Sequence, residues 1–284
     1  MRKILVTGVG GPAGRSVAKL LLARGFSVLG TDCRTLTLPQ LQFTTIPPAS
    51  SPDFLSAVCS LAEREQVALV IPTVSEELPI LAGSWQSTVP LLISSPDSVR
   101  VADDKYLTCR LLQKEGVAVP RFLLPSQVST EEEIEQTLGW PCISKPKIGR
   151  GGRGVRVNKK EDFPSLLALD DSYILQEFIP GAEYGPNLFL GQDFCFAAVI
   201  IKTELKGGVV GNAKSALRTH NTQVEKLAID AARALDLMGP VDLDLRQRAD
   251  GSLAVLELNA RFGANIALAP EVLGYALSSF GVTP

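Results

Sequence analysis

One histidine, His220, serves all 284 residues. A histidine-based catalytic triad or zinc site is therefore not expected. The five cysteines, Cys33, Cys59, Cys109, Cys142 and Cys195, are odd in number, widely scattered and without a Cys-x-x-Cys pair. They read as buried or incidental thiols of a reducing compartment. There is no basic excess, with 28 Lys and Arg against 30 Asp and Glu, so nothing attracts a nucleic acid. A membrane-length apolar run is also missing, and MRKILVTG passes straight into a strand-like segment rather than a signal region. The expectation is a cytoplasmic protein with no membrane partner.

What is present is a globular composition, 45% hydrophobic and 20% charged, on a chain longer than one typical domain. Its centre of gravity is Gly239 to Arg261, GPVDLDLRQRADGSLAVLELNAR. Asp250-Gly251 between alternating segments predicts a hairpin with a two-residue type I′ turn. That register sets Leu245 opposite Leu256, Asp244 opposite Glu257, Leu243 opposite Leu258 and Asp242 opposite Asn259. One face is then apolar and the other gathers acids whose mutual repulsion calls for a cation. Oxygen donors without His or Cys suit Mg²⁺ held with a nucleotide's phosphates. The alternative is the solvated face of an ordinary hairpin.

Upstream, Lys3 to Thr7 reads as a buried strand, followed by Gly8, Gly10, Gly11 and Gly14 and a helical pattern through Val17 and Leu20 to Leu22. With a second strand from Phe26 to Gly30 and then Asp32, the spacing fits either a dinucleotide-binding turn or a helix packed closely on a strand. A helix over 54–65 and strands over 67–72 and 91–93 predict a parallel sheet with helices on both faces. Glu76 and Glu77 either line a ligand crevice beyond the strand ends or open the next helix. The rhythm changes near Asp97 to Asp103, where a helix begins at Asp103-Asp104-Lys105 and stops at Gly116.

Strands at Trp140 to Lys145 and Gly154 to Asn158 flank Lys145-Pro146-Lys147-Ile148-Gly149-Arg150-Gly151-Gly152-Arg153-Gly154. Such a connection can wrap phosphate oxygens, or be a basic surface hairpin. A strand from Tyr173 to Ile179, a strand-turn-strand from Phe189 to Ile201, a loop over 207–215 and a helix from Val224 to Leu237 complete the reading.

In order and spacing, the Asp104-Lys105 helix start, Lys145-Pro146 with its glycine loop, Gln176-Glu177-Phe178-Ile179 followed by Glu183, and Glu257-x-Asn259-x-Arg261 resemble the ATP-grasp superfamily. The likeness is to its carbamoyl-phosphate-synthetase-like and amino-acid-ligase branches. It implies an α/β chain with a Rossmann-like N-terminal domain over 1–100 and a two-lobed α+β ATP-grasp domain. The central lobe covers 101–172 and the C-terminal lobe 173–284. It further implies ATP with Mg²⁺, two ions, in a carboxylate-amine or carboxylate-thiol ligase acting through an acyl phosphate.

By this resemblance Lys105 and Lys145 contact the phosphates and Gly149, Gly151 and Gly152 close over them. Gln176, Glu177, Phe178 and Ile179 receive adenine, Glu183 the ribose, and Asp244, Glu257 and Asn259 the metal. Arg261 neutralises the transferred phosphoryl group with Lys202 as helper. Small-molecule carboxylate and amine substrates and a possible homodimer are implied by the same likeness.

Two departures stand out. Several amino-acid ligases of the group carry an arginine two positions before the metal aspartate, where this chain has Asp242, which puts the second half-reaction in question or lets Asp242 greet a cationic amine. After Arg261 the chain runs only to Pro284, so the acceptor pocket is minimal or completed from elsewhere. Lys202, Lys206, Lys214 and Arg218 are the candidates for anchoring a substrate carboxylate. The competing readings are a non-catalytic ATP-binding module and an NAD(P)-dependent reductase. For the reductase, no Tyr has a Lys four residues later.

Overall fold

The structure is a computed structural model that describes residues 2–38, 41–208, 211 and 213–284. Ile4, Leu5 and Val6 are wholly buried, which a strand permits when both of its faces are covered. They sit on β1 (Lys3–Val6), followed by α1 (Pro12–Ala23), β2 (Ser27–Asp32), β3 (Gln42–Thr45), α2 (Phe54–Arg64), β4 (Leu69–Ile71) and α3 (Leu78–Ser84). The four strands make a parallel sheet in the order β3-β2-β1-β4. The short and half-exposed β3 has no apolar alternation to announce it. The strand expected at 91–93 is reduced to a bridge between Leu91 and Val70.

The N-terminal glycines are explained first by packing. A methyl group on Gly14, in the first turn of α1, would lie 2.4 Å from the Gly8 carbonyl oxygen. Helix and loop therefore touch backbone to backbone.

The middle of the chain comprises α4 (Pro96–Asp103), α5 (Lys105–Lys114), β5 (Phe122–Leu123), α6 (Glu131–Thr137), β6 (Cys142–Pro146), β7 (Arg156–Asn158), α7 (Phe163–Leu167) and β8 (Tyr173–Glu177). Asp104 caps α5 by accepting from the Tyr106 and Leu107 amides at 2.8 and 3.1 Å, so Lys105 leads the first turn. The strands form an antiparallel sheet, β5-β8-β6-β7, and the glycine-rich segment is the connection between β6 and β7.

The last part carries β9 (Glu183–Tyr184), β10 (Asn187–Leu190), β11 (Cys195–Leu205), β12 (Ala213–Thr219), α8 (Thr222–Ala234), β13 (Gly239–Gln247), β14 (Leu253–Asn259) and α9 (Pro270–Ser279). β9 and β10 follow one another between β11 and β13 in a six-stranded antiparallel sheet, with β12 and β14 outermost. Of the expected loop over 207–215, residues 213–215 belong to β12, while 209, 210 and 212 lie outside the described residues. Leu188, Leu243, Leu245 and Leu258 share a buried cluster with residues of α4, α5 and α8. Phe189, Ile200 and α9 residues join the β1 and α1 core instead, which ties the last part to the first. Among the described residues no helix is long and apolar enough to cross a membrane.

The β13–β14 hairpin forms with Asp242–Asn259, Leu243–Leu258 and Asp244–Glu257 as pairs, but its turn differs from the expected one. The Gly251 amide donates to the Arg248 carbonyl and the Arg248 amide to the Ser252 carbonyl, at 3.0 and 2.7 Å. Gly251 has a φ of +86°, and Asp250 is not in the left-handed region. This is a three-residue connection ending in a left-handed glycine, not a type I′ turn. It sets Leu245 against Val255 rather than Leu256. Leu256 becomes the extra residue of a β-bulge, and the bulge restores the register before Glu257.

Gly14→Ala should lower stability by about 1–3 kcal/mol through overpacking. The check is a urea midpoint that falls at unchanged m-value.

Candidate active site

Side chains alternate along a strand, so Asp242, Asp244 and Arg246 share one face of β13. The register adds Glu257 and Asn259 from β14, Glu183 from β9 and Lys202 from β11. The Lys202 ammonium lies 2.5 Å from Asp244 Oδ1 and 2.7 Å from Glu183 Oε1. Arg246 grips Glu183 Oε2 through Nη2 and Nε at 2.6 and 2.8 Å and donates to the Ile179 carbonyl at 2.9 Å. Lys105 reaches Glu257 at 3.4 Å and the Gly149 carbonyl at 2.8 Å. Lys145 donates to the Leu256 carbonyl at 3.3 Å, an acceptor that the bulge turns out of the ladder.

Arg261 closes the row. It donates to Asn259 Oδ1 at 3.0 Å, Asp242 Oδ2 at 3.4 Å, Ser75 Oγ at 3.2 Å and the Phe262 carbonyl at 2.8 Å. Asp242 also accepts from the Asn187 amide at 3.2 Å. The acid in place of the expected arginine is thus satisfied by this chain's own Arg261 and Asn187.

Burial is the largest influence on these groups, and the pairing then decides each outcome. Burial pushes Asp244 up to about 7 against the pull of Lys202, helped by the nearby Glu183, Glu257 and Asp242 charges. It raises Asp242 as well, with Arg261 and Lys202 opposing. For Glu257 burial is outweighed by Lys105, Lys145, Lys202 and Arg261, which together hold it below the usual carboxylate range. Burial lowers Lys145, with Glu257 resisting, whereas Asp244 and Glu183 raise Lys202 in spite of its burial. Lys202 is accordingly held in its charged form.

Two adjoining clefts meet here. The first is lined by Lys105, Lys145, the loop residues Gly149, Gly151 and Gly152, the strand end Gln176, Glu177, Phe178 and Ile179, then Glu183, Asp244 and Glu257. Lys202, Asn259 and Arg261, with Asp244 and Glu257 again, line the second, a cavity of about 820 Å³ shared with the N-terminal part. Its far wall includes Gly8, Gly10, Gly11, Gly14, Asp32, Arg34, Thr73, Glu76 and Glu77. Every residue expected from the sequence to meet nucleotide, metal or the transferred phosphoryl group lies on one or the other.

Lys206, Lys214 and Arg218 line neither cleft. Lys214 and Arg218 pair with Glu204 and Glu271 at 2.6 Å each, which leaves Lys202 from that group of anchors. Inside the first cleft Gln176 is buried and donates to Cys109 Sγ at 3.2 Å, while Arg121 and Arg248 hold the Glu177 carboxylate from two sides.

Sequence reasoning missed Arg246, Asn187, Arg248 and Ser75, because an arginine amid strand residues or a lone serine carries no motif. It foresaw Glu76 and Glu77 as one option. The structure shows Glu76 bound by Arg150 of the glycine loop at 2.7 Å and Glu77 buried against the Thr7 hydroxyl. Asp32, which would meet a ribose in a dinucleotide site, accepts from the Gly10 amide at 2.9 Å and from Arg34 at 3.0 and 3.1 Å. Its oxygens serve the glycine turn itself.

Asp244, Glu257 and Asn259 offer two carboxylates and one amide oxygen, the hard donors that suit Mg²⁺. Among the described residues no three His, Cys, Asp or Glu side chains form a metal-holding group. The donor set therefore fits an ion completed by phosphate oxygens and water, as Mg²⁺ usually is, rather than an all-protein cage.

A parallel N-terminal sheet followed by two antiparallel α+β lobes enclosing a cleft defines the class of architecture. A family model for the ATP-grasp domain matches residues 102–265, more than half of the chain, and the chain belongs to that family. It is 26% identical over 220 residues to a D-alanine–D-alanine ligase of Cupriavidus taiwanensis, covering 69% of this chain and 66% of the relative. It is 24% identical over 245 residues to a carbamoyl phosphate synthase large chain of Methanothermobacter thermautotrophicus, covering 78% of this chain and 23% of that one. The chain thus spans 66% and 23% of the lengths of these two curated relatives. Its fold matches the crystal structure of an L-amino acid ligase from Bacillus licheniformis with a TM-score of 0.72 at 17% identity, over 98% of this chain and 74% of the other.

Burial pushes the Glu77 carboxyl up to about 7, opposed by Thr7 and reinforced by Glu76. Between its ordinary value near 4.5 and 7, the folded chain keeps a proton that the unfolded chain has lost. This contribution is full below the lower value and fades as pH rises through the upper one. Wild-type stability minus that of Glu77→Gln should fall by up to about 3 kcal/mol across the window. Urea titrations of both proteins at stepped pH read the difference.

Proposed function

We propose that the chain is an ATP-dependent ligase that joins a small carboxylate to an amine through an acyl phosphate. The observation that carries the reading is the convergence of Lys105, Lys145, Lys202 and Arg261 on Asp244 and Glu257 where the two clefts meet. A carboxylate oxygen is a weak nucleophile and must approach a polyanion, so the barrier is largely one of charge. Fixed cations lower it without reorganising during the reaction.

In this reading Gln176, Glu177, Phe178 and Ile179 receive adenine and Glu183 the ribose hydroxyls. Arg246 holds Glu183 and the Ile179 carbonyl in one geometry, so both ends of the nucleoside are gauged from β13. Lys105 and Lys145 face the phosphates, while Gly149, Gly151 and Gly152 lend backbone amides and exclude water. Asp244, Glu257 and Asn259 would hold Mg²⁺, which supplies charge neutralisation to a triphosphate when bound. Lys202 and Arg261 stand on the side of the second cleft, where they orient the transferred phosphoryl group and the carboxylate that receives it.

The second cleft, at about 820 Å³, has the size of a small-molecule site and would take the carboxylate and the amine. The names of the curated relatives, a D-alanine–D-alanine ligase and a carbamoyl phosphate synthase large chain, support a ligase reading. The five cysteines are free, which supports a reducing, cytoplasmic setting.

With MgATP and a pool of amino acids the wild-type chain should release ADP and phosphate. Glu257→Gln should slow that release by about 100-fold or more, as loss of a preorganised charge does. Chelation of the metal should stop it. Equal ADP release by wild type and Glu257→Gln would sink the proposal.

A further inference from the structure

The second cleft is lined by six carboxylates: Asp32, Glu76, Glu77, Asp242, Asp244 and Glu257. Five have a cationic partner. Asp32 pairs with Arg34, Glu76 with Arg150, Asp242 with Arg261, Asp244 with Lys202 and Glu257 with Lys105. Of these six, Glu77 is the one with no ion pair among the described residues; its partner is the Thr7 hydroxyl.

It is nevertheless held in place. The Thr73 amide donates to Thr7 Oγ1 at 3.3 Å, which directs the Thr7 hydroxyl proton to Glu77 Oε2. The Thr73 hydroxyl in turn donates to the Thr7 carbonyl at 2.6 Å. Glu77 closes the one-turn segment Ser75–Glu77 that comes after β4, and Ser75 on that turn accepts from Arg261 Nε at 3.2 Å. The turn is thereby tied to the residue assigned to the phosphoryl group.

We infer that Glu77 receives the ammonium of the attacking amine and takes its proton, a role that rests on the ligase reading above. An N–H bond of the ammonium breaks, its proton goes to the Glu77 carboxylate, and the freed nitrogen lone pair forms the C–N bond to the acyl carbon. The bond from that carbon to the phosphate oxygen breaks, phosphate leaves with the bonding pair, and it accepts the second nitrogen proton.

The surroundings suit the task. The charged groups facing Glu77 are Glu76 on its own turn, Asp32 at the end of β2 and Arg150 of the glycine loop. Arg150 is already engaged by Glu76. Burial, with Glu76 and Asp32, against Thr7 and Arg150, leaves a carboxyl that titrates at about 7. Acid and carboxylate coexist there at neutral pH, as efficient proton transfer requires.

Hydroxylamine separates this role from a structural one, because it is unprotonated at neutral pH and needs no base. Wild type, Glu77→Gln and Glu77→Asp would each be given MgATP and an amino-acid pool at pH 7, with and without hydroxylamine. Hydroxamate would be read by its ferric complex, amide by mass spectrometry, and folding by thermal melting. The expected result is that Glu77→Gln keeps hydroxamate formation within a few-fold of wild type while amide formation falls by about 10²–10⁴. That loss should recover as pH is raised and free amine accumulates, and Glu77→Asp should retain amide synthesis with a displaced pH limb. Equal loss of both products in a folded Glu77→Gln, or loss of neither, overturns the inference and leaves the ligase reading standing. Wild type that makes neither product and releases no ADP overturns the ligase reading itself, and the inference with it.

Discussion

A charge removed from water must be met by an opposite charge or by hydrogen bonds, and in the third sheet that demand is met along a row of strands. Lys202 stands between Glu183 and Asp244, Arg246 holds the other oxygen of Glu183, and Lys105 and Arg261 meet Glu257 and Asp242. Those residues come from β9, β11, β13 and β14, from α5 and from the chain just beyond β14. None of the acids would be tolerable at its depth without the others' cations. The sheet can therefore carry this face only in its assembled form, so folding and site assembly are one event.

The same demand shapes the N-terminal part. Its glycines look like a phosphate turn in sequence, but Gly14 is required by contact with Gly8, and Asp32 commits its oxygens to Gly10 and Arg34. The parallel sheet contributes instead through the turn beyond β4. Three successive residues there face three neighbours: Ser75 meets Arg261, Glu76 meets Arg150 and Glu77 meets Thr7. A single turn so touches the C-terminal lobe, the glycine loop and its own sheet.

Much of this was legible before the structure. Alternation and the position of the turn were enough to set Asp244 against Glu257 and Asp242 against Asn259, and the glycine-rich basic stretch lies where a loop over a cleft should. The turn type was not legible, because Asp250-Gly251 serves a three-residue connection as well as a two-residue one and only the backbone distinguishes them. The correct distal pairs arose from two shifts that cancel. β3 was missed since three polar residues around a single half-buried Phe43 show no periodicity, and Leu91 to Ile93 were overcounted because apolar residues there pack without a full ladder. Arg246, Asn187 and Ser75 act through partners distant in sequence, and no local pattern encodes such a partnership.

The bulge at Leu256 gives the hairpin arm an unusual arithmetic. Tip length and strand phase are coupled there: losing Leu256 alone would leave Glu257 next to Val255 and still opposite Asp244 in an unbroken ladder, whereas gaining a single residue between Ser252 and Leu256 would turn Glu257 and Asn259 inward to the oily side and expose Leu258 in their stead. Shortening of this arm by one residue should accordingly be tolerated where lengthening by one is not.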